Sequence, residues 1–217
     1  MTGYADLILL SVVVLDLYVV ATSRLTSCVR ASALQGGALT LFPMALWWEG
    51  APASLFHVLL MGAGTLLIKA IIIPLLLIRA IRAAHVHREV EPFVSLHLSV
   101  LIGALLVGSS FWFATVLVLP HKAPTGLLVP AAFATLLLGF LVIVSRRQAI
   151  TQAIGYLLIE NGVFIFGQTL TDQIPFAVEL GILLDLLVGI FVMGIAIHHI
   201  SQEFDHIDTE QLVTLKD

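Results

Sequence analysis

Charge is scarce in this chain. Asp, Glu, Lys and Arg make up 11% of its 217 residues, against 59% hydrophobic, whereas a soluble domain carries about 25% charge. That balance excludes a water-soluble globular domain and leaves no mass for a separate soluble catalytic unit. Cysteine is scarcer still. Cys28 stands alone, which excludes an internal disulfide and any cysteine-built zinc site or iron–sulfur cluster held by this chain alone. Catalytic spacing is missing too: there is no Ser/His/Asp or Cys/His arrangement, no His-Glu-x-x-His and no phosphate-cradling glycine loop. Met1–Asp6 lacks the positive charge that opens a secretory signal, so a cleaved leader is not expected. Nothing points to a bound cofactor or a nucleic-acid partner.

What remains is long apolar runs. A membrane span needs about 20 apolar residues. Seven runs qualify, roughly Tyr4–Ala21, Ala31–Trp48, Leu55–Ile78, Phe93–Leu119, Gly126–Val144, Ala149–Leu170 and Pro175–His198. The second is the weakest, because it holds Gln35, Gly36, Gly37 and Pro43. Turn residues separate the runs at Gly50 to Pro52, Glu91-Pro92, Pro120 to Pro124 and Asp172 to Pro175. The runs are too long for strands and do not alternate. The fold class expected is therefore all-α, a polytopic transmembrane bundle of about seven helices.

Cation placement supports that count. With the N-terminus outside, Arg24, Arg30, Arg79, Arg82, Arg88, Arg146 and Arg147 fall in inner loops and Lys216 in a cytoplasmic tail, while the outer loops hold only Lys122. This is a strong positive-inside bias. Trp47 and Trp48 fall where an outer aromatic belt belongs. The organisation expected is one membrane domain: helices 1–5 over 1–145, helices 6–7 over 146–200, and a tail over 201–217.

Four ionisable residues lie deep in the apolar runs: Asp16, Lys69, Glu160 and Asp185. At about 1.5 Å per helical residue, Asp16, Lys69 and Asp185 lie roughly 18, 22 and 15 Å from the outer ends of their helices, and Glu160 roughly 20 Å from its inner end. All four thus fall in a central slab of a core about 30 Å thick. A charge at a helix centre costs about 2.5–3.5 kcal/mol on insertion scales and commonly marks an ion or proton path. A lateral proton relay accounts for the shared depth.

A blander account stands beside it. Asp16 and Lys69 form either a relay pair or a buried ion pair locking the first helix to the third. Glu160 and Asp185 have no second lysine between them, so a hydrated or protonated carboxyl is expected at each. Each is either a proton carrier or a neutral acid bonding a partner helix. Ala177, Gly181, Asp185 and Gly189 share a stripe, which aims Asp185 at a close helix seam. Gln152, Tyr156 and Glu160 share a face and form a candidate polar file from the inner surface, while Asn161, about 100° away, reads as interhelical glue.

Weaker candidates are Glu179, as an outer port or snorkelling group, and His97, as a proton-passing or hydrogen-bonded helix-end residue. Pro74 lies one turn beyond Lys69, kinks the helix and frees a carbonyl near that charge. His198 and His199, with Glu203, Asp205 and His206, are not expected to hold a metal, because adjacent helical side chains diverge by about 100°.

Several of these residues make up a familiar pattern. Val142-Ile143-Val144-Ser145-Arg146-Arg147-Gln148, Ile154-Gly155-Tyr156, Ile159-Glu160-Asn161-Gly162, Ile68-Lys69-Ala70 with Pro74-Leu75, and the closing Ile207 to Lys216 resemble component E of the bacterial hydrogenase-4 family. The last three spans also resemble the K subunit of complex I and the C subunit of Mrp-type cation/proton antiporters. Arg146-Arg147 matches that family's inner basic pair, Asp185-Leu186-Leu187-Val188-Gly189 its Glu-x-x-x-Gly, and Asn161 an Asn. Its other glutamate falls at Leu157, and here the acid stands at Glu160, one turn on.

The resemblance implies a non-catalytic membrane-arm subunit of a complex I-related membrane-bound nickel–iron hydrogenase or similar redox complex, placed in the bacterial inner membrane. Its implied partners are antiporter-like and quinone-site-type membrane subunits and a soluble redox arm, and its implied work is coupled proton translocation. Membership of a multisubunit antiporter, or a purely structural scaffold, are the alternatives.

Overall fold

In a bilayer every backbone polar group must be satisfied within the protein, so long apolar runs resolve as helices. The computed structural model describes residues 3–49, 55–83, 93–117 and 123–168, and Gly194. Among these, helix is the regular structure throughout and no strand forms. The order is α1 (Tyr4–Ala21), α2 (Leu25–Trp48), α3 (Leu55–Thr65), a π-helical segment (Leu66–Ile72), α4 (Ile73–Ala83), α5 (Leu96–Val116), α6 (Leu128–Ser145) and α7 (Ala149–Gly167). The π segment carries Lys69 and ends two residues before Pro74, where the sequence pointed only to a kink.

Five stretches are long and apolar enough to cross a membrane: Tyr4–Ala21, Gly62–Arg82, Leu96–Val116, Leu128–Ser145 and Ala149–Gly167. The protein is accordingly a helical membrane protein. Helix α2 has 24 residues, enough length to cross, but its polar residues keep it outside the five on composition. It begins at Leu25, six residues before the expected Ala31, because polar Thr26, Ser27 and Arg30 mask a continuous helix. The seventh expected span, with Glu179, Asp185 and the histidines at 198 and 199, lies outside the described residues except for Gly194.

Packing follows the small residues. Helices α6 and α7 run antiparallel in the most extensive contact of the bundle. A Cβ on Gly139 would sit 2.8 Å from the Gly155 carbonyl oxygen, and one on Gly155 would sit 3.0 Å from the Gly139 carbonyl oxygen. Only glycine lets two backbones meet this closely. Helices α1 and α2 also pack antiparallel, and Glu49 at the end of α2 accepts a 3.3 Å hydrogen bond from the Ala5 N–H at the start of α1. Helices α1, α2, α6 and α7 thus form the inner set. The α3–π–α4 span flanks α2 and α7, and α5 flanks α1 and α6.

The two ends of the bundle differ. Tyr4, Trp48, Phe56 and Trp112 are exposed near one end, as an interfacial aromatic belt requires. Arg24, Arg30, Arg79, Arg82, Arg146 and Arg147 lie toward the other. Arg146 is not a loop cation in solvent. It is buried at the end of α6, where its Nη2 donates to the Val20 carbonyl at 2.8 Å and caps the carbonyl end of α1. Arg147 is exposed and stacks its guanidinium 4.5 Å from the Phe93 ring centroid.

Candidate functional site at the centre of the bundle

Three ionisable side chains are buried at mid-height: Asp16 on α1, Lys69 on the π segment and Glu160 on α7. The Lys69 ammonium pairs with the Glu160 carboxylate and donates a 3.0 Å hydrogen bond to Asn161 Oδ1. Neighbouring helical residues diverge by about 100°, so Glu160 and Asn161 open an angle that the ammonium fills. Its Nζ also lies 5.2 Å from the Phe164 ring centroid.

The bonds continue away from Lys69. Asn161 Nδ2 donates to Gln35 Oε1 at 3.1 Å. Gln35 Nε2 donates to Asp16 Oδ1 at 2.6 Å. Thr135 Oγ1, on α6, donates to Asp16 Oδ2 at 2.7 Å. One unbroken polar series therefore joins the π segment, α7, α2, α1 and α6. All six side chains are buried, so each bond forms where water does not compete and the low dielectric strengthens it.

Apolar layers close this series above and below. Toward the aromatic end lie Leu9, Val12, Leu39, Phe42, Ala132 and Ile165. Toward the arginine end lie Val19, Val29, Ile73, Leu138, Val142, Ile154 and Leu158. Asp16 sits between Val12 and Val19, and Glu160 between Leu158 and Ile165. The polar groups form a layer across the bundle, not a column along it.

Two pairing expectations are corrected here. Asp16 and Lys69 do not form an ion pair: the amides of Gln35 and Asn161 stand between them. Glu160 does not lack a cation, because Lys69 is its partner. The reason is the approach of the π segment to α2. A Cβ on Gly36 would lie 2.8 Å from Lys69 Cβ, so Gly36 lets the Lys69 backbone close in, and the side chain extends past α2 toward α7.

The polar file on α7 is not assembled by bonds among the described residues. Gln152 is half-buried and donates to the Arg146 carbonyl at 3.2 Å, while Tyr156 packs against the inner apolar cluster. His97 is exposed in the first turn of α5, toward the arginine end. Asn161 does bind helices together, as expected, and it does so at the middle of the series. Sequence reasoning missed Gln35 and Thr135 as participants. Gln35 stood out only as a flaw in an apolar run, and the glycine after it was the usable signal. Thr135 gave none, since threonine is common in membrane helices.

Gly36→Ala tests the packing of Lys69. The added methyl is expected to push the π segment off α2, strain the Lys69–Glu160 pair and cost about 1–3 kcal/mol. Gly37→Ala, one residue on and facing open space, is expected to be near neutral. Thermal unfolding of the two variants in detergent reads the difference, and equal stability would show that the approach is not tight.

No family model matches the sequence, and no solved structure matches it. Among curated proteins, the uncharacterised Mycobacterium tuberculosis protein Rv0085 is 34% identical over 194 residues, 89% of this chain and 87% of that protein. Hydrogenase-4 component E of Escherichia coli K12 is 29% identical over 164 residues, 74% of each chain. The Shigella flexneri protein of the same name matches to the same extent.

Proposed function

We propose, for a chain that belongs to the same family as Mycobacterium tuberculosis Rv0085 and has hydrogenase-4 component E as a more distant relative, that it is a membrane-arm subunit of a complex I-related hydrogenase or similar redox complex. Its task is to relay protons within the membrane plane. The observation that carries this reading is the buried cluster of Lys69, Glu160 and Asp16, linked through two amides and enclosed by apolar layers.

The charge count supports it. Two acids face one base. With one added proton the cluster is neutral, and without it the cluster carries one negative charge. Isolated charge is costly at this depth, so the cluster's natural traffic is one proton at a time. Apolar layers on both sides direct that traffic laterally, toward neighbouring subunits. Glu160 and Asp185 are the groups that take and give the proton, and Lys69 sets the field at Glu160. Redox chemistry occurs on partner subunits, and this chain supplies no catalytic group. Antiporter-like and quinone-site-type subunits are the neighbours it serves, in the inner membrane, with its N-terminus outside and C-terminus in the cytoplasm.

Glu160→Gln and Asp185→Asn are expected to assemble and to lose proton translocation, measured as acidification of inverted vesicles driven by the native donor. Full pumping by both variants defeats the relay. Failure of both to assemble makes the acids helix-pairing groups instead. Affinity purification from native membranes decides the setting: hydrogenase-like or quinone-reductase-like large subunits support the redox complex, and antiporter subunits alone replace it with a cation/proton antiporter.

A further inference from the structure

We infer that Gln35 and Asn161 act as a directional coupler: the two amides carry no proton, but they make the proton on Asp16 and the charge of the Lys69–Glu160 pair depend on each other. The inference deepens the relay reading and rests on it for its use, though the coupling is a property of this chain alone.

The ends of the series fix its direction. An ammonium only donates, and an ionised carboxylate only accepts. Between Lys69 and Asp16 every bond therefore points one way: Lys69 Nζ to Asn161 Oδ1 at 3.0 Å, Asn161 Nδ2 to Gln35 Oε1 at 3.1 Å, and Gln35 Nε2 to Asp16 Oδ1 at 2.6 Å. Turning Asn161 alone would set its NH₂ against the ammonium and its oxygen against Gln35 Oε1. Turning Gln35 alone would set oxygen against carboxylate. The two amides reverse together or not at all.

Primary amides neither lose nor gain a proton in the physiological range, so what passes through them is orientation. A proton on Asp16 Oδ1 that is turned toward Gln35 makes that oxygen a donor, and Gln35 Oε1 must then stand opposite it. Gln35 Nε2 then needs Asn161 Oδ1, and the Asn161 NH₂ turns toward Lys69. An ammonium cannot accept that bond, so Lys69 must withdraw onto Glu160 or surrender its proton. Thr135 offers a bypass, because its hydroxyl accepts as well as donates and can accept a hydrogen bond from a proton held on Asp16 Oδ2.

The surroundings leave this series as the direct connection. Among the described residues, the ionisable side chains buried with Asp16 are Lys69, Glu160 and Arg146. Arg146 faces the Val20 carbonyl at the end of α1. Ser99 is the buried polar group of α5 toward that end, and it is uncharged.

The test is infrared titration of the Asp16 carboxyl band in the purified complex in lipid vesicles, with the band assigned by Asp16→Asn. Removing the remote charges together, with Lys69→Met and Glu160→Gln, is expected to change the proton affinity of Asp16 by about fivefold or more, the lower end of coupling between linked sites. Asn161→Leu is expected to remove most of that change, and Thr135→Val to enlarge it. An unchanged shift in the Asn161→Leu background means that the charges act through space and overturns the coupler, as does no shift at all. Gln35→Met breaks the series independently if Asn161→Leu does not fold. The wild-type complex gives a further reading: the side-chain amide bands must change in step with Asp16 protonation, and constant bands overturn the inference. Loss of coupling with intact translocation sinks the coupler alone. Intact coupling with full pumping by Glu160→Gln sinks the relay alone.

Discussion

Replacing Lys69 by Met is expected to destabilise the protein by about 3–5 kcal/mol, the cost of removing one partner from a buried ion pair. Glu160 would be left as a carboxylate 1% exposed with its cation gone. Asn161 Oδ1 would lose its donor at the same time, adding a buried unsatisfied acceptor. Adding Glu160→Leu is expected to recover most of the loss, because an apolar pair of similar volume often substitutes for a buried ion pair at little cost. Unfolding of the single and double variants in detergent, closed as a mutant cycle, measures this. Translocation should stay absent in both. A stable single variant would mean that Glu160 does not depend on Lys69, and the arrangement of the central cluster would have to be redrawn.

Gly155→Val is expected to do comparable damage by a different route. The α6–α7 seam is set by backbone contact: a Cβ at Gly155 meets Ile143 Cγ1 at 2.8 Å, the Gly139 carbonyl oxygen at 3.0 Å and the Ile143 nitrogen at 3.1 Å. Backbone atoms cannot step aside as a flexible side chain does. Even Gly155→Ala therefore forces the helices apart, at about 1–3 kcal/mol for overpacking, and valine exceeds that. Because α7 also carries Glu160 and Asn161, moving it stretches the bonds to Lys69 and Gln35. Gly64→Ala and Gly108→Ala, where nothing lies near the added methyl, are the controls and should leave stability unchanged. Equal tolerance at Gly155 and Gly64 would show that the seam has slack.

Much of the architecture is legible in the amino-acid pattern. The bounds of α1, Tyr4–Ala21, and the start of α7 at Ala149 agree with the apolar pattern. In the third span Pro74 pointed to a kink one turn beyond Lys69, but the π segment over Leu66–Ile72 that carries the lysine was not legible. The start of α2 was not legible, because Thr26, Ser27 and Arg30 dilute its apolarity at the inner end. The sequence places Arg146 in a pair of inner cations, yet it is buried and caps α1. A composition rule assigns a cation to a side of the membrane and says nothing of what its side chain reaches.

The central cluster divides along the same line. Counting residues placed Asp16, Lys69 and Glu160 in a central slab, because the rise of a helix is nearly constant and depth follows from sequence position alone. Counting could not say which acid the lysine would meet. That choice depends on how each helix is rotated and how closely its neighbours pack, and those are settled by contacts between residues far apart in the chain. Gly36 admits the Lys69 backbone to α2, and Gly139 and Gly155 hold α7 against α6. The chain by itself determined a helical membrane protein with charge at mid-height. Only the packed bundle decided that Lys69 would face Glu160 and that two amides would stand between it and Asp16, because helix rotation is a property of the contacts and not of the count.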